Sequence, residues 1–484
     1  MEENKNEMNE PKVVQSDIES KDGQTKCPKC GATDISLNTN TGKLRCNFCR
    51  HEFEPQKVEG FEDDIGELKG QVVGSGAQDI KADTKDFVTL KCTSCGAEVV
   101  IDTASSSSAR CHWCRNVLSI NQQVPNGSIP DVVLPFQVKK EEARTKIKEF
   151  VEKRKFFANP KFKEEFTTEN IMGVYFPYMI VDVNSHAKFV GQGEHLVRKY
   201  TVGSGDDRET RYDADLYDVE REFDLEIDDL TVESSSDKLD KKSKDKTTNV
   251  INAIMPFDTE NSVKFDANYM RGFTSEKRDT NVDQLRDIVN EQAKDVARFA
   301  ANNVSKKYDR GIRWSQEQLD IKGQQWKAAY LPVWLYSYQE VKKNKKVLHY
   351  IAVNARTKET MGSVPIHMPK LLFVSALLEL LGLILMLFVD SDYSAVFLLL
   401  GVLFYFVMLA KYRNKSARHT YEKETKTKME NLRQVDNFVK KRTGLRNSTM
   451  EGANNKRVNG AFSIATNSLE NIGNILNDMD IKIK

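Results

Sequence analysis

Eight cysteines, all between Cys27 and Cys114 and all in C-x-x-C pairs, constrain this chain more than any other feature. Cys27/Cys30 is followed after fifteen residues by Cys46/Cys49, and Cys92/Cys95 after the same interval by Cys111/Cys114. Pairs at this short-long-short spacing fold as facing turns, and four thiolates suit one tetrahedral Zn²⁺. Disulfides would need an oxidising compartment, and the first 24 residues, polar and acidic, read as no secretory signal peptide. A thioredoxin-like site needs a single C-x-x-C near a βαβ pattern. The expectation is two structural Zn²⁺ per chain.

The two clusters are copies at an offset of 65 residues. All four cysteines coincide, as do Gly31/Gly96, Ala32/Ala97, Arg45/Arg110 and Arg50/Arg115, and Phe48 stands where Trp113 stands. Asn47 occupies the place of His112, so the first copy has a full ligand set with no histidine there. His112 is therefore read as a bystander, and so is His51. Phe48, Trp113, Arg50 and Arg115 either brace the knuckles or form two copies of one partner-docking surface.

The shared pattern, C-x-x-C-G-A and then R-C-x-[FW]-C-R, resembles the zinc ribbon of transcription factor IIB-type proteins, tandemly duplicated. That resemblance implies small three-stranded β-sheets whose usual work is protein contact. Charge points the same way. Gln24 to Gly60 carries six Lys/Arg against four Asp/Glu, and Leu90 to Ile120 three against two. That is too little for strong, salt-dependent phosphate binding, so nucleic acid is the minority expectation. The expected layout is a disordered segment at 1–24, ribbons at 25–58 and 89–122, and an acidic linker at 59–88. "GSG" at Gly74–Gly76 reads as flexibility that lets the ribbons move independently.

Leu371 to Val389 is a nineteen-residue run broken only by Ser375, Glu379 and Gly382, and a second run spans Tyr393 to Ala410. Nineteen helical residues extend about 28 Å, close to a bilayer's hydrocarbon thickness. Two transmembrane helices are therefore expected, at 371–389 and 393–410. Lys370, Lys411, Arg413, Lys415 and Arg418 flank them, and the tip holds Asp390 and Asp392. The positive-inside rule then puts both termini in the cytoplasm of a cell-membrane protein. Glu379, near the middle of the first run, is costly in lipid and is expected to face a partner helix, a second copy of the chain, or the second helix.

The span 125–368 reads as an α+β domain with an internal duplication, in lobes of about 131–200 and 251–365. Leu134–Phe136 matches Met255–Phe257, and Val174–Ile180 matches Ala329–Leu335, each of the latter pair an aromatic strand with a central proline. Helices are expected over Lys139–Phe157 and about Val282–Val304, the second placing Leu285, Val289, Ala293, Val296 and Ala300 on one face. Tyr217, Val219, Phe223, Leu225 and Ile227 alternate as in a strand, and a hairpin is expected to turn near Lys343–Lys346. Tyr175, Tyr178, Trp326, Tyr330 and Trp334 read as core, with a groove as the alternative.

No enzyme is expected, and no small-molecule substrate is identified. The sequence has no G-x-x-x-x-G-K-[ST], H-E-x-x-H or G-x-S-x-G, and every cysteine is committed to a cluster. Beyond the membrane run, 411–484 is expected to be a cytosolic helical and polar tail. Met429, Leu432, Val435, Phe438 and Val439 would share one helix side, and Leu469, Ile472, Ile475, Leu476 and Met479 recur at near-helical spacing.

The order of duplicated ribbons, "VVLPFQVKKEEA", "GVYFPYMI", "YLPVWLYSY" and a two-span anchor resembles the TFIIB-type zinc-ribbon membrane proteins of Gram-positive bacteria of the YdjG type. The similarity runs from about Cys27 to Arg418. It implies an envelope-stress complex at the lipid bilayer with flotillin-like and other membrane proteins, recruiting a phage-shock-protein-A-like coat. The fold class expected is thus multidomain α+β: two tandem β zinc ribbons, a central α+β domain, a two-helix transmembrane hairpin and a helical tail.

Overall fold

The two proline-centred aromatic segments lie side by side in the middle of the molecule. The computed structural model describes residues 11–14, 26–38, 41, 43–55, 57–78, 87–102, 109–118, 123–124, 129–203, 209–236, 239, 249, 251–270, 272–303, 308–342, 345–388, 397, 399–413 and 424–446. The described chain starts with β1 (Lys12–Val14), the ribbon strands β2 (Ile35–Leu37), β3 (Leu44–Cys46) and β4 (Glu52–Phe53), then β5 (Gly70–Gly74) and the single turn α1 (Ser75–Gln78). The second cysteine cluster surrounds the hairpin of β6 (Phe87–Lys91) and β7 (Glu98–Asp102), followed by the short β8 (Gln123–Val124) and β9 (Val132–Val133). Next come α2 (Lys140–Glu152), α3 (Pro160–Glu165) and a long hairpin, β10 (Met172–Val202) with β11 (Glu209–Glu233). Short strands β12 (Val263–Lys264) and β13 (Thr274–Glu276) lead to α4 (Val282–Asn303). A second long hairpin follows, β14 (Ile312–Lys342) with β15 (Lys345–Asn354), edged by β16 (Thr360–Gly362). Last are α5 (Met368–Phe388), α6 (Leu400–Arg413) and β17 (Lys426–Arg446).

β10 and β14 run antiparallel, with Pro177 opposite Tyr330 and Tyr175 opposite Pro332. That register relates the two segments by a local two-fold. β9 lies parallel to β14 at Ala329–Tyr330, and β13 lies parallel to β10 at Val174–Tyr175, which obeys the same symmetry. A helix follows each short strand, α2 after β9 and α4 after β13, and each long strand then folds back on its hairpin partner. The segment in the place of Val132–Val133 is thus Thr274–Glu276, and the match drawn from Met255–Phe257 does not hold in three dimensions. Tyr175, Tyr178, Trp326, Tyr330 and Trp334 are all buried as core.

Each helix covers its own part of this sheet. α4 begins with a reciprocal cap, Gln284 N–H donating to Asn281 Oδ1 and Asn281 N–H to Gln284 Oε1. Its Leu285, Val289, Ala293, Val296 and Ala300 pack on Val181, Phe223, Leu225, Ile227 and Trp326. At its far end the buried Arg221 guanidinium donates to Ala301 O, a cation where the helix dipole is negative. α2 buries Ala143, Ile147, Phe150 and Val151 in a separate cluster with Phe136, Val353 and Ile366.

Several expectations are overturned by the fold. The acidic linker contains β5, which pairs with β14 from Gly70 to Val73 and with β1 on its other side, so part of the N-terminal segment is also a strand. "GSG" is a close approach and not a flexible joint. A Cβ on Gly74 would lie 2.3 Å from Asp131 Oδ2, and one on Gly76 2.7 Å from Ile129 O. Asp131, fully buried, accepts the N–H groups of Gly76 at 2.7 Å and Ala328 at 2.8 Å, which fixes this segment to β14.

The ribbons are not equally independent. β2, β3 and β4 form their own three-stranded sheet, whereas β7 joins the large sheet through β13. The tail is a strand over Lys426–Arg446: β17 pairs antiparallel with β11. Three register shifts interrupt that pair, and none falls between Val435 and Phe438, so apolar residues three apart there alternate between the two faces of an extended strand.

The membrane segment differs from expectation as well. Among the described residues only α5 is long and apolar enough to cross a membrane. α6 as described has 14 residues, about 21 Å, and falls short of a span; residues 389–396 and 398 lie outside the described residues. α6 nevertheless returns to the domain that α5 leaves. Phe157 N–H donates to Tyr412 Oη at 3.0 Å, and Val364 N–H to Tyr412 O at 3.0 Å. The apolar tail residues Leu469 to Met479 are also outside the described residues.

Candidate metal centres

Each cysteine cluster closes into a four-sulfur constellation. Cys27 Sγ lies 3.5 Å from Cys49 Sγ and Cys30 Sγ 3.6 Å from Cys46 Sγ. In the second copy Cys92–Cys114 is 3.4 Å and Cys95–Cys111 3.6 Å. All four sulfurs of a cluster fall within 4.8 Å of one another. These separations are far too long for disulfides, at about 2.05 Å, and approach the edge of a tetrahedron with metal–sulfur bonds of about 2.3 Å. The two clusters can hold two metal ions.

The backbone builds all four knuckles alike. The N–H groups of Gly31, Arg50, Gly96 and Arg115 donate to the carbonyls of Cys27, Cys46, Cys92 and Cys111, each at 2.8 Å. All four donors have positive φ, between 61° and 81°. Glycine adopts that conformation freely, but an arginine there is strained. In the second cluster the Cys111 thiol holds Cys95 down at about 5, while the hydrogen bond to Cys95 and burial push Cys111 up.

The clusters differ in what their second knuckle meets. Trp113 is 5 % exposed, and its Nε1 donates to Glu276 Oε2 at 2.7 Å. His112 Nε2 lies 2.8 Å from the same oxygen, His112 Nδ1 3.3 Å from Thr274 Oγ1, and Ser337 Oγ donates to His112 O at 2.8 Å. The Trp113 ring meets Tyr350 edge-on at 5.0 Å and Phe176 at 6.0 Å, and the Arg115 guanidinium sits 4.7 Å over Tyr336. Trp113 and Arg115 thus pack on the chain's own central domain. His112 is no ligand, but it helps to fix the ribbon in place. Glu276, missed by sequence reasoning, carries no local signal because it lies 163 residues from Trp113.

Ribbon 1 leaves the equivalent knuckle outward. Phe48 is 81 % exposed, Arg50 is exposed, and Asn47 is held by Asp34 and Ser36 instead. Only the ribbon's apolar face, with Ile35 and Leu44, packs inward, beside Tyr269 and Met270. His51 stacks on Phe53 and stays apart from the sulfurs.

A cleft of about 550 Å³ opens between ribbon 2 and the central domain, lined by Cys95, Trp113, Glu276, Lys277 and Tyr350 among others. Asp182, Asp228 and Asp229 form a third cluster of potential ligands, which sequence reasoning missed. Lys327 Nζ lies 3.0 Å from Asp182 Oδ2, Gln325 donates to that oxygen, and Thr259 donates to Asp229, so Asp182 and Asp229 have partners within the chain. Glu379 caps α6: its Oε2 accepts the N–H of Gly401 at 2.8 Å and of Val402 at 3.3 Å. A carboxylate at a helix N-terminus meets the positive end of the dipole, so within this chain its partner is the neighbouring helix.

Comparison with protein families, curated proteins and solved structures finds no match to this chain. The case for function therefore rests on the geometry of the two clusters and of α5.

Proposed function

We propose that this chain is a non-enzymatic, membrane-anchored scaffold that offers a zinc-ribbon knuckle to a protein partner. Zn²⁺ is the metal that four thiolates at this spacing favour, and as a structural ion it would hold each pair of knuckles together. The observation that carries the reading is the asymmetry of the copies. One knuckle is buried against the central domain through Trp113, while the other keeps Phe48 in the open. Ribbon 2 fixes the zinc module to the large sheet, and ribbon 1 displays its aromatic and Arg50.

α5 supports membrane anchoring by more than composition, because Leu372, Phe373, Leu377, Leu380 and Ile384 are left uncovered by the fold. With α6 returning to the domain, both ends of the hairpin belong on one face. Lys370, Lys411 and Arg413 at those ends make that face cytoplasmic. The resemblance to YdjG-type proteins names candidates for the partner, a phage-shock-protein-A-like coat and flotillin-like membrane proteins.

The test compares full-length chain in detergent with a Phe48→Ala/Arg50→Ala variant. The variant is expected to keep both metals and its thermal unfolding profile but to lose co-purification of the coat protein. Undiminished co-purification, or salt-steep retention of the full chain on DNA or RNA, contradicts the reading.

A further inference from the structure

We propose that the turn leaving α2 is a docking surface for anionic lipid headgroups, an inference that rests on the reading of α5 as a membrane anchor. Residues 153–163 contain Lys153, Arg154, Lys155, Lys161 and Lys163 and no Asp or Glu. The four lysines are exposed. Between them Phe156 is 61 % exposed, whereas Phe157 is buried against Phe404 and Tyr412 of α6, at 6.0 and 6.1 Å.

Hydrogen bonds hold this turn at the mouth of the hairpin. His367 N–H donates to Phe157 O at 2.8 Å, and Asn159 N–H to Pro365 O at 2.8 Å, immediately before α5. Lys370 Nζ donates to Phe156 O at 2.9 Å and lies 3.7 Å from the centre of the Phe156 ring. Arg154 Nε donates to Lys411 O at 3.1 Å, at the last turn of α6. The exposed apolar surface of α5 begins at Leu372 and Phe373, directly after Lys370. Phe156 and the basic run therefore sit where the helix passes from polar to apolar surroundings.

An exposed aromatic ringed by lysines at that level is the composition of a membrane interface. Glu152 neutralises Lys155 at 3.2 Å and Glu164 and Glu165 close the run, but five Lys/Arg against three Glu over 152–165, with Lys370, Lys411 and Arg413, keep the patch positive. Continuity with the apolar helix selects a lipid surface over an acidic protein. Each lysine near an anionic bilayer is expected to favour it about fivefold.

The experiment places the full chain in nanodiscs of phosphatidylcholine, with and without phosphatidylglycerol. A tryptophan introduced by Phe156→Trp reports proximity of brominated lipids through quenching, relative to the parent chain. Brominated phosphatidylglycerol is expected to quench it more than brominated phosphatidylcholine. Lys153→Glu/Lys155→Glu is expected to reduce that preference at least about fivefold. Equal quenching by the two lipids overturns the headgroup surface and leaves the anchor standing. Failure to enter either disc overturns both.

Discussion

Trp113 Nε1 donates to Glu276 Oε2 across 2.7 Å, and this bond joins the His112 contacts and the β7–β13 pairing in tying the second metal cluster to the strand that leads into α4. Trp113→Phe keeps an aromatic ring against Phe176 and Tyr350 but removes the donor and part of the buried indole. A hydrogen bond to a buried carboxylate contributes about 1.5–3 kcal/mol, so denaturant unfolding is expected to lose at least that amount, the smaller ring adding a cavity cost. Hydrogen exchange is expected to quicken in ribbon 2 and not in ribbon 1. Equal change in both ribbons would refute the asymmetry.

Gly74→Ala tests whether the segment between the ribbons is a linker or a packed strand. The added Cβ would fall 2.3 Å from a carboxylate oxygen of Asp131, which is itself fixed by two N–H donors. Overpacking of this kind costs about 1–3 kcal/mol, read as a lower thermal midpoint. A variant as stable as the parent would restore the flexible-linker reading.

The arginines at positive φ give a paired prediction. Arg50→Gly relieves backbone strain at an exposed position and is expected to stabilise ribbon 1 by up to about 1 kcal/mol. Arg115→Gly gives the same relief but loses the guanidinium over Tyr336 and its packing. It is expected to be neutral or destabilising. Chelator-driven metal release from the two clusters separates the cases, and identical effects at both sites would contradict the account.

Burial pushes the Asp131 carboxyl up from 3.8 to about 6. The folded chain therefore binds this proton more tightly than the unfolded chain between those values. Its contribution to stability is fully present below about pH 4 and is lost as the pH rises through about 6. The stability of the parent relative to Asp131→Asn, which does not titrate, is expected to fall by roughly 3 kcal/mol across that window. A constant difference from pH 4 to 7 would sink this assignment.

Sequence spacing revealed what is local. The cysteine ligands follow from four C-x-x-C pairs, and α4 follows from one amphipathic face that starts at Val282, where the helix starts. The proline-centred pair was legible as a repeat, but not as neighbours in one sheet. What stayed hidden depends on long-range contact. Glu276 carries no mark that it receives Trp113, and Gly74–Gly76 looks like a joint until Asp131 is placed beside it. β17 misled because apolar residues three apart suggest one helix face, whereas the pairing that makes the segment a strand comes from β11, far away in the chain. Glu379 stood out as a buried cost, but its solution, the exposed amides at the start of α6, could not be read from spacing.

Metal content of the intact chain tests the central claim most directly. Native mass spectrometry of the full-length protein is predicted to find two Zn²⁺ per chain. Cys46→Ser is predicted to leave one ion, with hydrogen exchange unchanged in the Trp113–Glu276 contact, because that ribbon is held by the central domain. A single ion in the parent chain, iron in place of zinc, or loss of both ions from the Cys46→Ser protein would contradict the account.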